Sequence, residues 1–212
     1  MGYVSISGPS GCGKDTVIRL VQEKMPNVGL SISCTTRPPK THSDGHEEKH
    51  GVDYFFMNEE EYHALRLSGG LLEYTKNNSG WYGTPIWYLD ELKRQGKDTI
   101  FFNVDMRGAV SLRSIDPATV SIYILPPSLD ELYQRLLKRG RETNAQRKQR
   151  MIENKAEMLL AHLCHYLVLN DEPSRAADEV CRILAGDPPP PEQNRDLLAS
   201  LNKDFIAWRF PE

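Results

Sequence analysis

No stretch of this sequence approaches the ~18 consecutive apolar residues that a membrane-crossing helix needs. Positive charge is not in surplus either. Lys and Arg number 26 against 29 Asp and Glu, a formal net charge of -3, which leaves no general basic field for neutralising a nucleic-acid backbone. Only four cysteines are present, Cys12, Cys34, Cys164 and Cys181. They form no C-x-x-C pair and no disulfide-framework spacing, so a reducing compartment, the cytoplasm, is expected. The chain runs directly into Tyr3-Val4-Ser5-Ile6-Ser7 with no charged and apolar leader pattern, which argues against secretion. The expected partners are therefore small molecules, with no nucleic acid and no membrane, and a monomer or homodimer.

What is present fits a globular protein. The 39% hydrophobic and 26% charged fractions are ordinary, and 212 residues suit one core with mobile insertions. Short apolar runs at Tyr3 to Ser7, Val28 to Ser33, Asp98 to Asn103, Thr119 to Leu125 and Tyr166 to Leu169 read as buried strands. Helical patterns at Lys14 to Met25, Ile86 to Gln95, Met106 to Arg113 and Pro173 to Leu184 alternate with them. Such alternation predicts an α/β fold, a parallel sheet with helices on both faces.

Two segments break the rhythm. From Cys34 to about Pro85 the chain is polar and turn-rich, with strand-like pieces at Tyr54 to Met57 and Leu71 to Thr75 and a helix from Glu59, capped by Asn58 with Glu61. This predicts a small inserted α+β subdomain. From Pro126 to about Lys155 the chain is helical and arginine-rich, beginning with a capping box at Ser128 to Glu131, and reads as a hinged lid. The core is then 1–33, 86–126 and 156–186, the insertion 34–85, the lid 127–155 and a tail 187–212. Pro188 to Pro191 stop regular structure ahead of that tail. Within it Leu197, Leu198, Leu201, Phe205 and Trp208 recur at helical spacing, an apolar stripe expected to dock on the chain's own body.

The strongest chemical signal is Gly8-Pro9-Ser10-Gly11-Cys12-Gly13-Lys14, placed between the first strand and the first helix. Glycines let backbone N–H groups converge on a phosphate, the helix N-terminus adds positive potential, and Lys14 supplies a mobile cation. This is the P-loop of an NTPase-type sheet, and it makes Gly8, Ser10, Gly11, Cys12, Gly13, Lys14, Asp15 and Thr16 candidate ATP contacts. Asp15 stands where such loops usually carry Ser or Thr to bind Mg²⁺. A carboxylate is a good hard-oxygen ligand, but beside triphosphate it costs about 4 kcal/mol at ~4 Å and an effective dielectric of ~20. Asp15 is therefore expected to hold Mg²⁺ directly or through water.

Beyond the loop, Thr35-Thr36-Arg37-Pro38-Pro39-Lys40, Gly51 to Phe56, Leu72-Glu73-Tyr74, Tyr82-Gly83-Thr84, Asp105 to Gly108, Ile124 to Ser128, Arg135 to Gly140 and Asn170-Asp171 follow in order. Together these resemble the guanylate kinase family over about residues 3 to 185. The resemblance implies Mg²⁺-dependent phosphoryl transfer from ATP to GMP, a GMP-binding subdomain at 34–85 and a closing lid. It implies an Arg37, Lys40, Tyr54 and Tyr82 clamp on the GMP phosphate. Lys40 stands where the family usually has arginine, and a point charge there predicts a weaker hold. Glu73 would accept from guanine N1–H and N2–H₂, with Ser33 and Thr84 serving O6. Asn103 stands at a family aspartate and would accept from the guanine amino group without charge. Arg135, Arg139 and Arg150 would reach the transferring phosphates, Asn170 would contribute to the ATP side, and Asp105 would either hold a metal-bound water or the GMP base, or cap the following helix. The insertion leaves open whether Glu47 or Glu48 is the family's Gly-Glu element.

Other candidates carry less. His42, His46 and His50 with Asp44, Glu47 and Glu48 read as a polar loop rather than a metal site. Cys12 reads as a small loop-filling residue rather than a reactive thiolate. Two alternatives share this motif set: a ribose 1,5-bisphosphate kinase, which often has Gly-Lys-Asp as at Gly13 to Asp15, and a non-catalytic guanylate-kinase-like binding module.

Overall fold

A computed structural model of the chain describes residues 2–41, 45, 47–77, 79–138 and 143–210. The elements run β1 (Gly2–Ser7), α1 (Lys14–Lys24), β2 (Val28–Leu30), β3 (Cys34–Thr35), β4 (Phe55–Phe56), α2 (Glu59–Leu67), β5 (Leu71–Asn77) and β6 (Gly80–Pro85). They continue as α3 (Ile86–Arg94), β7 (Thr99–Asn103), α4 (Met106–Ile115), β8 (Val120–Leu125), α5 (Leu129–Lys138), α6 (Asn144–Leu159), β9 (Tyr166–Leu169), α7 (Pro173–Leu184) and α8 (Arg195–Ala207). No described helix is long and apolar enough to cross a membrane.

The main sheet has five strands in the order β2-β7-β1-β8-β9, and every pairing in it is parallel. Buried on both faces, its strands are apolar throughout, as parallel sheets require. On β7 alternate residues serve opposite layers. Phe101 joins the large core with α1, α7 and the lid helices, whereas Ile100 and Phe102 pack with Leu89, Leu92 and Leu112 of α3 and α4. The sheet therefore carries helices on both faces, and its strand C-termini converge where β1 gives way to the glycine loop.

A second sheet, β4-β3-β6-β5, encloses a small core of Cys34, Phe55, Tyr62 and Leu71. Its helix α2 starts where the sequence indicates, with both bonds of the Asn58–Glu61 capping box formed. The strand expected over Val28 to Ser33 ends at Leu30. The reason is a change of sheet: Ser31 N–H still donates to Phe101 O, but Ser33 O already accepts from Phe55 N–H. β3 and β6 were not read as strands, because β3 is two residues long and β6 contains Gly80, Gly83 and Pro85, which mask any alternation. The lid segment divides into α5 and α6. Arg139, expected at the transferring phosphates, lies outside the described residues.

The apolar stripe of the tail folds back on the body. Leu198, Leu201 and Phe205 are buried in the large core, with Leu197 partly buried against it. Trp208 and Phe210 pack edge-on against Tyr133 of α5, with centroids at 5.5 and 6.0 Å. Arg195 ties the start of α8 down by donating to His162 O and Cys164 O at 3.1 and 2.9 Å. Phe205→Ala is expected to cost about 3 kcal/mol of folding stability, because Phe205 is 5% exposed. Ile206→Ala, at a position 71% exposed, should change it by less than about 0.5 kcal/mol. Equal effects of the two in urea denaturation would contradict this docking.

Candidate active site

The glycine loop turns from β1 into α1 through backbone that only glycine adopts easily. Gly8, Gly11 and Gly13 have φ of 146, 93 and 94°, and a Cβ on Gly13 would lie 2.4 Å from Asn170 Nδ2. Gly13 caps α1 without a side-chain bond, so the first-turn N–H groups of the helix face the loop interior, which is a site for an anion. Lys14 Nζ donates to Gly8 O, and lies 3.5 Å from Pro9 O. Cys12 is fully buried and burial pushes its thiol pKa up, in keeping with a space-filling role.

The loop is held from outside by side chains far away in sequence. Asn170, 1% exposed, donates from Nδ2 to Cys12 O at 2.7 Å. Arg135 donates to the same carbonyl at 3.2 Å and to Asn170 O at 3.1 Å. From α6, Arg150 donates to Ser10 Oγ at 3.0 Å. Asn154, which no motif indicated, brackets the peptide of Ser10: its Oδ1 accepts from Ser10 N–H at 2.7 Å and its Nδ2 donates to Ser10 O at 3.1 Å. Ser10 thus spends its N–H, carbonyl and hydroxyl on α6. The only sequence signal for Asn154 is its spacing from Arg150, one helical turn along the same face.

Asp15 and Thr16 are exposed in the first turn of α1. Asp15 Oδ1 accepts from Asn103 Nδ2 at 2.8 Å. Asp105 caps α4, accepting from Gly108 N–H at 2.9 Å on one oxygen and from Arg107 Nη2 at 3.0 Å on the other, so the capping reading of Asp105 is realised. Among the described residues no group of three or more His, Cys, Asp or Glu is arranged to hold a metal by itself. Mg²⁺ needs no such cage, since one or two carboxylates with phosphate oxygens and waters suffice. The bond from Asn103 does not by itself exhaust the lone pairs of a carboxylate, and Asp15 at the loop mouth therefore fits the ion. Of the histidine trio, His42 and His46 lie outside the described residues, and His50 packs edge-on against Phe55 at 5.7 Å.

The second sheet gathers a polar and aromatic cluster around one cation, Arg37. Arg37 of the segment after β3 lies with its guanidinium carbon 4.7 Å from the Tyr54 ring centroid and donates from Nε to the Tyr82 hydroxyl at 2.9 Å. Glu48 grips the same guanidinium in a two-bond fork, from Nη1 and, at 2.8 Å, from Nη2. That ion pair holds the Arg37 pKa above its ordinary value, and it identifies Glu48 rather than Glu47 as the acidic partner. Lys40 is exposed and its backbone N–H donates to Glu48 at 2.9 Å; its side chain is not brought into the clamp by any bond described. Deeper in, Glu73 and Thr84 are 9% and 1% exposed, and Thr84 Oγ1 donates to Glu73 Oε1 at 2.7 Å. Burial raises the Glu73 pKa while the Thr84 hydroxyl opposes the shift. Ser33 is half-buried at the start of this sheet.

Comparison with known proteins agrees in each case. A family model described as guanylate kinase matches residues 2–186, all of the chain except the proline run and the tail. The chain is 33% identical over 204 residues to the guanylate kinase of Thermotoga maritima, covering 96% of each protein. Its identity to the guanylate kinase of Malacoplasma penetrans is 40% over 184 residues, 85% of this chain and 91% of that one. The crystal structure of guanylate kinase from Anaplasma phagocytophilum superposes with a TM-score of 0.66 at 26% identity, covering 94% of each chain.

One carboxylate at the loop went unread in the sequence. Glu157 of α6 lies a turn beyond Asn154, and its Oε1 is buried without a hydrogen-bond partner among the described residues. Burial pushes its pKa up to about 7; Lys14, the Gly8 N–H and Arg107 pull it down, and Asp105 pushes it further up. With the folded value above the ordinary 4.5, Glu157 adds stability that is full below pH ~4.5 and is lost as pH rises through ~7. Glu157→Gln should therefore be more stable than wild type by roughly 1–3 kcal/mol at pH 8 and within about 0.5 kcal/mol of it at pH 4. Urea denaturation at the two pH values checks this, and a gap independent of pH would contradict it.

Proposed function

Because the chain belongs to the guanylate kinase family and so transfers the γ-phosphoryl group of ATP to GMP, we propose that the two clusters described above divide that reaction between them. The glycine loop and α1 bind ATP, and the second sheet binds GMP. The observation that carries the assignment is the buried Glu73 carboxylate backed by Thr84. A carboxylate pairs with the adjacent N1–H and N2–H₂ donors of guanine, and adenine offers no such pair. Ser33 would donate its hydroxyl to O6, and Thr84 would do so only by turning its own hydroxyl from Glu73, while Asn103 offers its amide oxygen to the amino group. Arg37, Tyr54 and Tyr82, with Lys40 from the rim, would hold the GMP phosphate in line with the donor.

On the ATP side, backbone N–H groups of Gly11 and of Gly13 to Thr16 would cradle the β-phosphate, with Gly8, Ser10, Asn170 and Cys12, whose N–H donates to Pro9 O, fixing the loop's shape. Lys14, now donating to loop carbonyls, would turn to the phosphates. Phosphoryl transfer needs positioning and charge neutralisation rather than a protein nucleophile. Arg135 and Arg150 already touch the loop, and with Arg139 they would neutralise charge developing on the transferred group. Mg²⁺, held by Asp15 together with triphosphate oxygens, would supply the remaining positive charge. Asp105 would act mainly by shaping the start of α4. In this reading 1–33, 86–126 and 156–186 form the core, 34–85 the acceptor-binding unit and 127–155 the lid, in a cytoplasmic enzyme.

A coupled ADP-release assay with Mg·ATP and GMP, IMP or AMP as acceptor tests these roles. Glu73→Gln should lower kcat/KM for GMP about a hundredfold with the KM for ATP unchanged, and should shrink the preference for GMP over IMP. A variant that keeps both the rate and the preference would remove Glu73 from base recognition.

A further inference from the structure

Two side chains that the sequence offers to different substrates are bonded to each other. Asp15 opens α1 beside the ATP phosphates, and Asn103 ends β7 on the acceptor side. The register of β7 with β1 pairs Asn103 with Ile6, so the strand end delivers Asn103 to the mouth of the glycine loop. There its Nδ2 donates to Asp15 Oδ1 at 2.8 Å. An ionised carboxylate can only accept, so the bond also fixes which way the amide faces: its NH₂ points to Asp15 and its oxygen away from it. Both residues are exposed, and neither belongs to a core cluster. The bond has no evident part in holding the fold together.

We propose that Asn103 is a positioning residue for Asp15, holding the carboxylate where it meets the metal of Mg·ATP. This rests on the reading of Asp15 as a Mg²⁺ ligand. A carboxylate in the first turn of a helix has several rotamers available, some of them turned toward the helix N–H groups or toward Lys14. The Asn103 amide selects one orientation and adds no negative charge. An acidic residue at position 103 would place two carboxylates in contact, so a neutral amide donor is the natural partner for an acid at position 15. The amide oxygen remains available for guanine, so one side chain can serve the metal side and the acceptor side together.

The test measures binding without GMP, so acceptor recognition does not enter. Isothermal titration gives the Kd of ATP with Mg²⁺ and with EDTA, and their ratio reports what the metal adds to ATP affinity. That ratio is compared in wild type, Asp15→Asn, Asn103→Ala and the double variant, with a thermal melt of each to confirm folding. We expect Asp15→Asn and Asn103→Ala each to cut the ratio about tenfold, and the double variant to cut it no further than Asp15→Asn alone. If Asp15→Asn cuts the ratio but Asn103→Ala does not, or the two effects multiply, the positioning role is wrong while Asp15 stays a ligand. If Asp15→Asn leaves the ratio unchanged, the metal reading of Asp15 and the positioning role fall together.

Discussion

A loop that turns its N–H groups inward to meet an anion leaves its carbonyls facing outward, and each needs a donor of its own. In this chain the donors are side chains of other elements: Arg135 and Asn170 on Cys12 O, Asn154 on Ser10 O and, from α1, Lys14 on Gly8 O. The shape of the phosphate site is therefore set by α5, α6 and the turn after β9 as much as by the glycines. The same bonds hold Arg135 and Arg150 against the loop, where, on the reading proposed above, they would meet the phosphates. Their orientation is then largely prepared rather than produced during the reaction, and preparation of that kind lowers the reorganisation a charged transition state demands.

The acceptor side uses the opposite charge logic. Arg37 is held by Glu48, Tyr82 and Pro38 O together, and its planar fork is stacked on Tyr54. A lone buried guanidinium would be costly, and the carboxylate partner lets Arg37 stay ionised in a buried place. Glu73 shows the complementary case. It sits in a buried position with one hydroxyl donor, so burial raises its pKa, and a ligand presenting two N–H donors would satisfy it. Between the two sides the Asp15–Asn103 bond is a direct covalent-chain-independent link from the start of α1 to the end of β7.

The tail adds a mechanical constraint. Helix α8 packs against α5 and α6 through Leu198, Leu201 and Phe205, and Trp208 and Phe210 lie on Tyr133. Since α5 and α6 carry Arg135, Arg150, Asn154 and Glu157, a segment beyond the family match is fastened to the helices that hold the phosphate loop. Apolar periodicity was enough to foresee the helix and its inward face. It could not say which elements would receive it, because a hydrophobic stripe has no directional preference among apolar surfaces.

Local patterns account for what was legible beforehand. Buried parallel strands are continuous apolar runs, helices declare their caps, and the glycine loop has a fixed position between β1 and α1, so the α/β architecture and the Gly8 to Lys14 site followed from neighbouring residues alone. Asn58 with Glu61 fixed the start of α2 for the same reason. Partnerships between distant residues were not legible: Glu48 rather than Glu47 on Arg37, Asn154 on Ser10, Asn103 on Asp15, and the burial of Glu157. Each depends on where two chain segments meet after folding, and a hydrogen bond or a desolvated charge is decided by distance in space. The sequence by itself determined which groups this protein has to offer a phosphate and a base; only the tertiary structure decided which of them hold one another.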